Sequence, residues 1–173
     1  MDSFCPIASF KDINHKYFIS FQGTVYYSMF KWRVVANLTS SLGYDASCLG
    51  NHEFDDGVAD LEAFSHAIKD SYPLLACNLD ISRVPHLNGA VQPYIIKEVG
   101  EKRRKVAVIG YVTPETKEIS DSGDVVFIDE IVSLQKAIKE VKAMGANIII
   151  GLGHSGYERD LEIADQVSSN QYV

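Results

Sequence analysis

The run from Lys105 to Ile150 constrains the fold more tightly than any other part of the chain. Val106, Ala107, Val108 and Ile109 make a short apolar block closed by Gly110, and Ile148, Ile149 and Ile150 make a second. Short unbroken apolar blocks bounded by turn residues are the signature of strands buried on both faces. Between them, Asp129 to Met144 repeats apolar residues at helical spacing: Ile131, Leu134, Ile138 and Val141. Asp129 can cap the start of this helix, Gly145 can end it, and Lys142 lies near the negative end of its dipole. A strand, a crossover helix and a second strand in that order point to a parallel pair.

The same alternation extends upstream. Thr24 to Leu42 is expected to be one helix, with Val25, Met29, Trp32 and Ala36 on a face, Tyr26 and Phe30 alongside, and Gly43 at its end. Ala46 to Leu49 is a short strand that stops at Gly50, and Gly57 to Lys69 is a second helix. Leu74 to Ala76 and Tyr94 to Val99 are further strands, the latter turning through Gly100 and the charged Glu101 to Arg104 into the Lys105 strand as a hairpin. A last helix begins near Tyr157. The fold class is therefore α/β, a mostly parallel sheet with a hairpin insertion.

At 173 residues and 46% hydrophobic, the chain can bury one substantial core. The formal net charge of -7 disfavours nucleic acid or an anionic membrane surface as a partner. An anionic substrate would need local positive charge, which a bound divalent cation supplies. Cys5, Cys48 and Cys77 have no paired spacing, so no zinc knuckle or disulfide framework is implied, and Cys48 is expected to be a buried small hydrophobe. No stretch approaches a membrane span. Met1 to Ser20 carries Lys11, Asp12, His15 and Lys16 where an export signal would keep an unbroken apolar core. The sequon Asn37-Leu38-Thr39 falls in the first helix and carries little weight.

In folds of this class ligands gather beyond the carboxyl ends of the strands. Two segments occupy such places, Leu49-Gly50-Asn51-His52 and Leu152-Gly153-His154, each with a glycine at the strand exit. Asn51 offers a neutral carbonyl oxygen to a hard or borderline divalent metal. His52 beside it can donate a proton or hydrogen bond to a phosphate or leaving group. From the residues alone, a loop that merely caps the following turn is an equal alternative, and His154 could be a histidine at a strand end making an ordinary hydrogen bond. Glu53, Asp55 and Asp56 are expected to serve the dipole and free amides of a helix start rather than a metal. Ser155 and Glu158 have capping-box spacing for the last helix. Tyr26, Tyr27, Phe30 and Trp32 could form a stacking surface, but aromatics at helical spacing are more often core.

Gly50-Asn51-His52-Glu53-Phe54-Asp55, followed by Asp56-Gly57, resembles the Asn-His motif of the calcineurin-like metallophosphoesterases in the form seen in the 5′-nucleotidase and apyrase family. The resemblance runs from about Phe21 to Val167. Phe21-Gln22-Gly23-Thr24 is similar to the tail of the second motif, Gly43-Tyr44-Asp45-Ala46 to the approach to Asn-His, Gly110-Tyr111-Val112-Thr113 to the central strand exit, and Gly151 to Asp160 to the next histidine motif. It implies a metallophosphoesterase-like layered α/β sandwich, present in part as the amino-terminal catalytic domain over residues 21–173. A divergent segment, residues 1–20, precedes it, and the family's carboxyl-terminal nucleotide-specificity domain is expected to be absent. Asn51 and His154 would be metal ligands. His52 would be catalytic, contacting the scissile phosphate and assisting the leaving group, so that Asn51 and His52 together bind substrate.

The cofactor implied is a divalent metal pair, zinc first, with manganese, cobalt or magnesium as alternatives. Its assembly in this chain is expected to be incomplete. The family's Asp-x-His first motif has no counterpart, Ile19 stands where the bridging aspartate belongs, and the last histidine motif would lie beyond Val173. Two metals about 3.5 to 4 Å apart need a shared anionic ligand. The resemblance implies hydrolysis of phosphate from nucleotides, AMP to adenosine and phosphate, in an extracellular or cell-surface setting. An inactive nucleotide- or phosphate-binding relic, a structural fragment, and an apyrase or nucleotide-sugar hydrolase remain alternatives.

Overall fold

A computed structural model of the protein describes residues 24–169. Ile19, the 1–20 segment and the Phe21 to Gly23 part of the second motif lie outside the described residues. The elements run α1 (Val25–Phe30), α2 (Trp32–Ser40), β1 (Ser47–Cys48), a 3-10 turn (Asn51–Phe54), α3 (Val58–Ile68), β2 (Leu74–Leu75) and β3 (Leu79–Asp80). A 3-10 turn (Pro85–Leu87), β4 (Val91–Gln92), β5 (Tyr94–Val99), β6 (Arg104–Val112), α4 (Thr116–Ile119), β7 (Val126–Phe127), α5 (Glu130–Ala143), β8 (Ile148–His154) and α6 (Tyr157–Ser169) follow.

The expected single sheet is divided among three small ones. In the first, β1, β2 and β4 are parallel; in the second, β5 and β6 form the expected antiparallel hairpin and β8 joins β6 in parallel; β3 and β7 make a short antiparallel pair. The α5 crossover therefore connects β6 to β8 through β7, as the strand, helix, strand order requires. The first two sheets are stacked: Ala46, Cys48, Leu75, Val108 and Leu152 form a buried layer between them. Gly110 is what lets them approach, because a Cβ there would lie 2.4 Å from the Leu75 backbone. On the other face of β6, Ala107, Ile109 and Tyr111 meet Ile131, Leu134, Ala137 and Val141 of α5 and Ile163 of α6. A third cluster, with Phe54, Leu61, Phe64 and Leu49 at its centre, packs α2 and α3 against the outside of the first sheet.

The helix expected over Thr24 to Leu42 is two helices. Lys31 breaks it with φ 53° and ψ -146°, a conformation that suits glycine and costs a residue with a Cβ about 1–3 kcal/mol. The aromatic expectation divides at the same place: Tyr27 is buried and Trp32 packs on the core, while Tyr26 and Phe30 are 64% and 51% exposed. Thr39 of the sequon is buried, its hydroxyl donating to the Val35 carbonyl and accepting from Tyr72. Asp129 caps α5 by accepting from the Val132 amide at 3.0 Å, as expected. The capping box expected from Ser155 and Glu158 does not form, since the Ser155 Oγ is buried without a hydrogen-bond partner.

Candidate functional site

Two strand ends deliver the candidate residues to one place. Leu49 donates its amide to the Leu75 carbonyl at 3.1 Å, which holds the chain in the first sheet up to Gly50. The next residues wind into a 3-10 turn rather than the open loop expected. Glu53 accepts from the Gly50 amide at 2.6 Å, and Phe54 is fully buried, edge-on to Phe127 with centroids 5.6 Å apart. Burying the Phe54 side chain anchors the turn, and Glu53 closes it back on the strand end. Asn51 and His52, on the same turn, stay half-buried.

His154 arrives from the second sheet as the last residue of β8, in register with Val112 of β6. The sequence places it in a loop after a strand ending at Ile150; the structure extends the strand four residues further, and Gly153 leaves the face clear for the Tyr111 ring. A Cβ at Gly153 would lie 1.8 Å from that ring. The Tyr111 hydroxyl then reaches Asp160 of α6 at 2.9 Å and fixes the helix that follows.

The two ends meet directly. His154 Nε2 lies 2.8 Å from Asn51 Oδ1, although 103 residues separate them in the chain. Burial, and then the neighbouring His52, hold the His154 imidazole below its usual basicity. His52 Nδ1 lies 2.8 Å from Asp55 Oδ2, which orients the ring and leaves Nε2 turned away from the carboxylate. Ser120, at the end of α4, places its Oγ 2.7 Å from the Asn51 carbonyl and 2.9 Å from Asp55 Oδ1; its single hydrogen serves one acceptor at a time. Asp56 accepts from Lys31 Nζ at 2.7 Å and from the Tyr27 hydroxyl at 2.5 Å, and these two bonds, the lysine's first, hold its carboxyl below the usual range.

All three predicted site residues therefore share one surface. Glu53 accepts from the free Gly50 amide, as expected, whereas Asp55 and Asp56 differ from the expectation by engaging side chains, His52 and Ser120 for the first and Lys31 and Tyr27 for the second. Sequence reasoning missed Ser120, Tyr27 and Lys31, which carry no motif and reach the turn only through tertiary packing. The partnership of Asp55 with His52 was legible in principle, because residues three apart in a helical turn face each other.

Asn51 Oδ1 and His154 Nε2 stand at ordinary hydrogen-bond distance, 2.8 Å, the imidazole N–H donating to the amide oxygen. Two ligands about 2.1 Å from a tetrahedral cation stand about 3.4 Å apart, so to hold one this pair would have to part slightly and Nε2 give up its proton, while the donor types, an amide oxygen and an imidazole, suit a borderline divalent ion. A complete centre needs more: among the described residues no group of three His, Cys, Asp or Glu side chains can hold a metal.

No family model matches the chain. It is 43% identical over 158 residues to the snake venom 5′-nucleotidase of Gloydius brevicauda, a match covering 88% of this chain and 26% of that protein. Among solved structures, the 5′-nucleotidase precursor of Thermus thermophilus superposes with a TM-score of 0.77 at 40% identity, covering 83% of this chain and 28% of that one. A calcineurin-like phosphoesterase of Bacillus subtilis superposes with a TM-score of 0.59 at 26% identity over 80% of this chain and 46% of its own. The expected partial metallophosphoesterase-like fold is the one these structures share. The chain spans about a quarter of the length of the curated relatives it matches.

Proposed function

The chain belongs to the 5′-nucleotidase family, and from that premise we propose that its Asn51-His52 turn and His154 form the phosphate-handling face of a nucleotide phosphohydrolase, with AMP as substrate. The observation that carries this reading is the 2.8 Å meeting of Asn51 and His154 beside an oriented His52. Asn51 Oδ1 and His154 Nε2 would hold a divalent cation, zinc first, which when bound offsets phosphate charge that a chain of net charge -7 otherwise repels. His52 engages Asp55 through Nδ1, which leaves Nε2 as the ring nitrogen that would donate to the departing ester oxygen. Asp55 keeps the ring in position for that transfer. Ser120 steadies the Asn51 backbone from below the same turn.

These residues do not by themselves activate the attacking water, because two ligands are too few to fix a two-metal geometry. That shortage among the described residues favours a second reading, in which the same face binds nucleotide or phosphate without turnover. Phosphate release from AMP, measured across a series of divalent metals, separates the two. Metal-dependent release that His52→Ala lowers about 100-fold or more supports hydrolysis, the range of a general acid. Binding of AMP without release at any metal concentration supports the second reading, and the absence of both sinks the proposal. Kinship with a venom protein supports an extracellular or cell-surface setting.

A further inference from the structure

We propose that Lys31 and Tyr27 are positioning residues for His52, acting by gripping Asp56 and so fixing the Asn51-to-Asp56 turn; the inference rests on the reading that His52 faces the phosphate. Both oxygens of Asp56 are taken from the same direction in the chain: Oδ1 by the Lys31 ammonium at 2.7 Å and Oδ2 by the Tyr27 hydroxyl at 2.5 Å. The ammonium also stands 5.6 Å from the centre of the Tyr27 ring, so the three groups form one closed cluster. Thr24 caps α1 by accepting from the Tyr27 amide at 3.2 Å, which sets where the tyrosine enters the helix.

The backbone argues that this cluster is maintained for a purpose. Lys31 sits at φ 53° and ψ -146° between two helices, where glycine would rest with less strain. What lysine has and glycine lacks is the ammonium on Asp56. An observed strain of this kind is an indication of function, to be tested. The path to His52 is one residue long, since Asp56 follows Asp55, the carboxylate that orients the imidazole. On the other side of Asp56, Gly57 at φ 85° imposes little conformational restraint of its own. The carboxyl grip from α1 and Lys31 therefore limits how far the Asp55-Asp56 pair can swing, complementing the Ser120 contact with Asp55.

Three variants of the full chain test this. Lys31→Gly removes the ammonium while relieving the backbone, Lys31→Arg restores a cation, and Tyr27→Phe removes only the hydroxyl. Lys31→Gly is expected to keep or raise the melting temperature while amide hydrogen exchange over Asn51 to Asp56 speeds up about tenfold, as a local opening does. In the same variant, kcat for phosphate release from AMP falls with KM little changed, Lys31→Arg recovers most of both effects, and Tyr27→Phe shows a smaller loss. Unchanged exchange in the turn, a global loss of stability in Lys31→Gly, unchanged kcat despite faster exchange, or no recovery with arginine would each overturn the proposal. If the unaltered chain releases no phosphate, the reading of function fails, while the exchange measurement still decides whether Lys31 and Tyr27 hold the turn.

Discussion

The fold brings the side chains of Asn51 and His154, 103 positions apart in the chain, into contact. If both face one cation, their contributions share a partner and cannot be independent. Asn51→Ala and His154→Ala should each weaken divalent-metal binding, measured calorimetrically, by about tenfold or more, and the double variant should be little worse than either single one. Additive losses would place the two side chains on different ions. Asp160 supplies a pH test. Burial raises its pKa above the ordinary 3.8, against the opposing Tyr111 hydrogen bond and with a further push from Glu130. The folded state thus holds this proton more tightly than the unfolded one, so stability is lost as pH rises through the carboxylate range. Asp160→Asn keeps an acceptor for the Tyr111 hydroxyl and removes the cost of a half-buried charge. It should melt higher than the original chain near pH 7 and no higher near about pH 3, below both values. At this scale the motif residues were legible because glycine exits and adjacent Asn-His are written in order. Ser120, Tyr27 and Lys31 were not, because a contact across 25 to 69 residues leaves no local pattern.

Elements were legible wherever one period ran unbroken. The α5 helix matches its expectation closely, with Asp129 as cap and a positive φ at Gly145 just beyond its end. The first helix did not, since periodicity reports which side chains face the core and says nothing of one residue turning to positive φ. Lys31 keeps the apolar spacing nearly continuous while it redirects the chain. Strand lengths were underestimated at the carboxyl ends of β6 and β8, where Tyr111 and Val112 on one strand and Gly151 to His154 on the other read as loop but pair in register. Gly110 and Gly153 serve packing. Gly110→Ala drives a Cβ to within 2.4 Å of backbone that cannot yield, whereas Gly153→Ala meets a tyrosine ring that can be displaced only by breaking its bond to Asp160. Both should destabilise, Gly110→Ala by about 3 kcal/mol or more and Gly153→Ala by less, read as shifts in denaturation midpoint. A reversed order would mean that the sheets separate more easily than the Tyr111 ring moves.

At the scale of the whole molecule, the stacking of two small sheets decides where the candidate residues meet. Leu75, fully buried between them, should cost about 2–5 kcal/mol when cut to alanine, with loss of the Asn51-His154 contact among the first effects seen by NMR. The α/β class, the hairpin, the capped crossover helix and the residues of the Asn-His and His154 segments were determined by the sequence alone, because each depends on neighbours within a turn, a strand or a short motif. The division into three sheets, the break at Lys31, the turn's attachment to α1 and α4, and the 2.8 Å meeting of Asn51 with His154 were decided only by tertiary structure. They depend on where distant surfaces come to rest when sheets stack and side chains close-pack, and that balance is set by the whole chain at once.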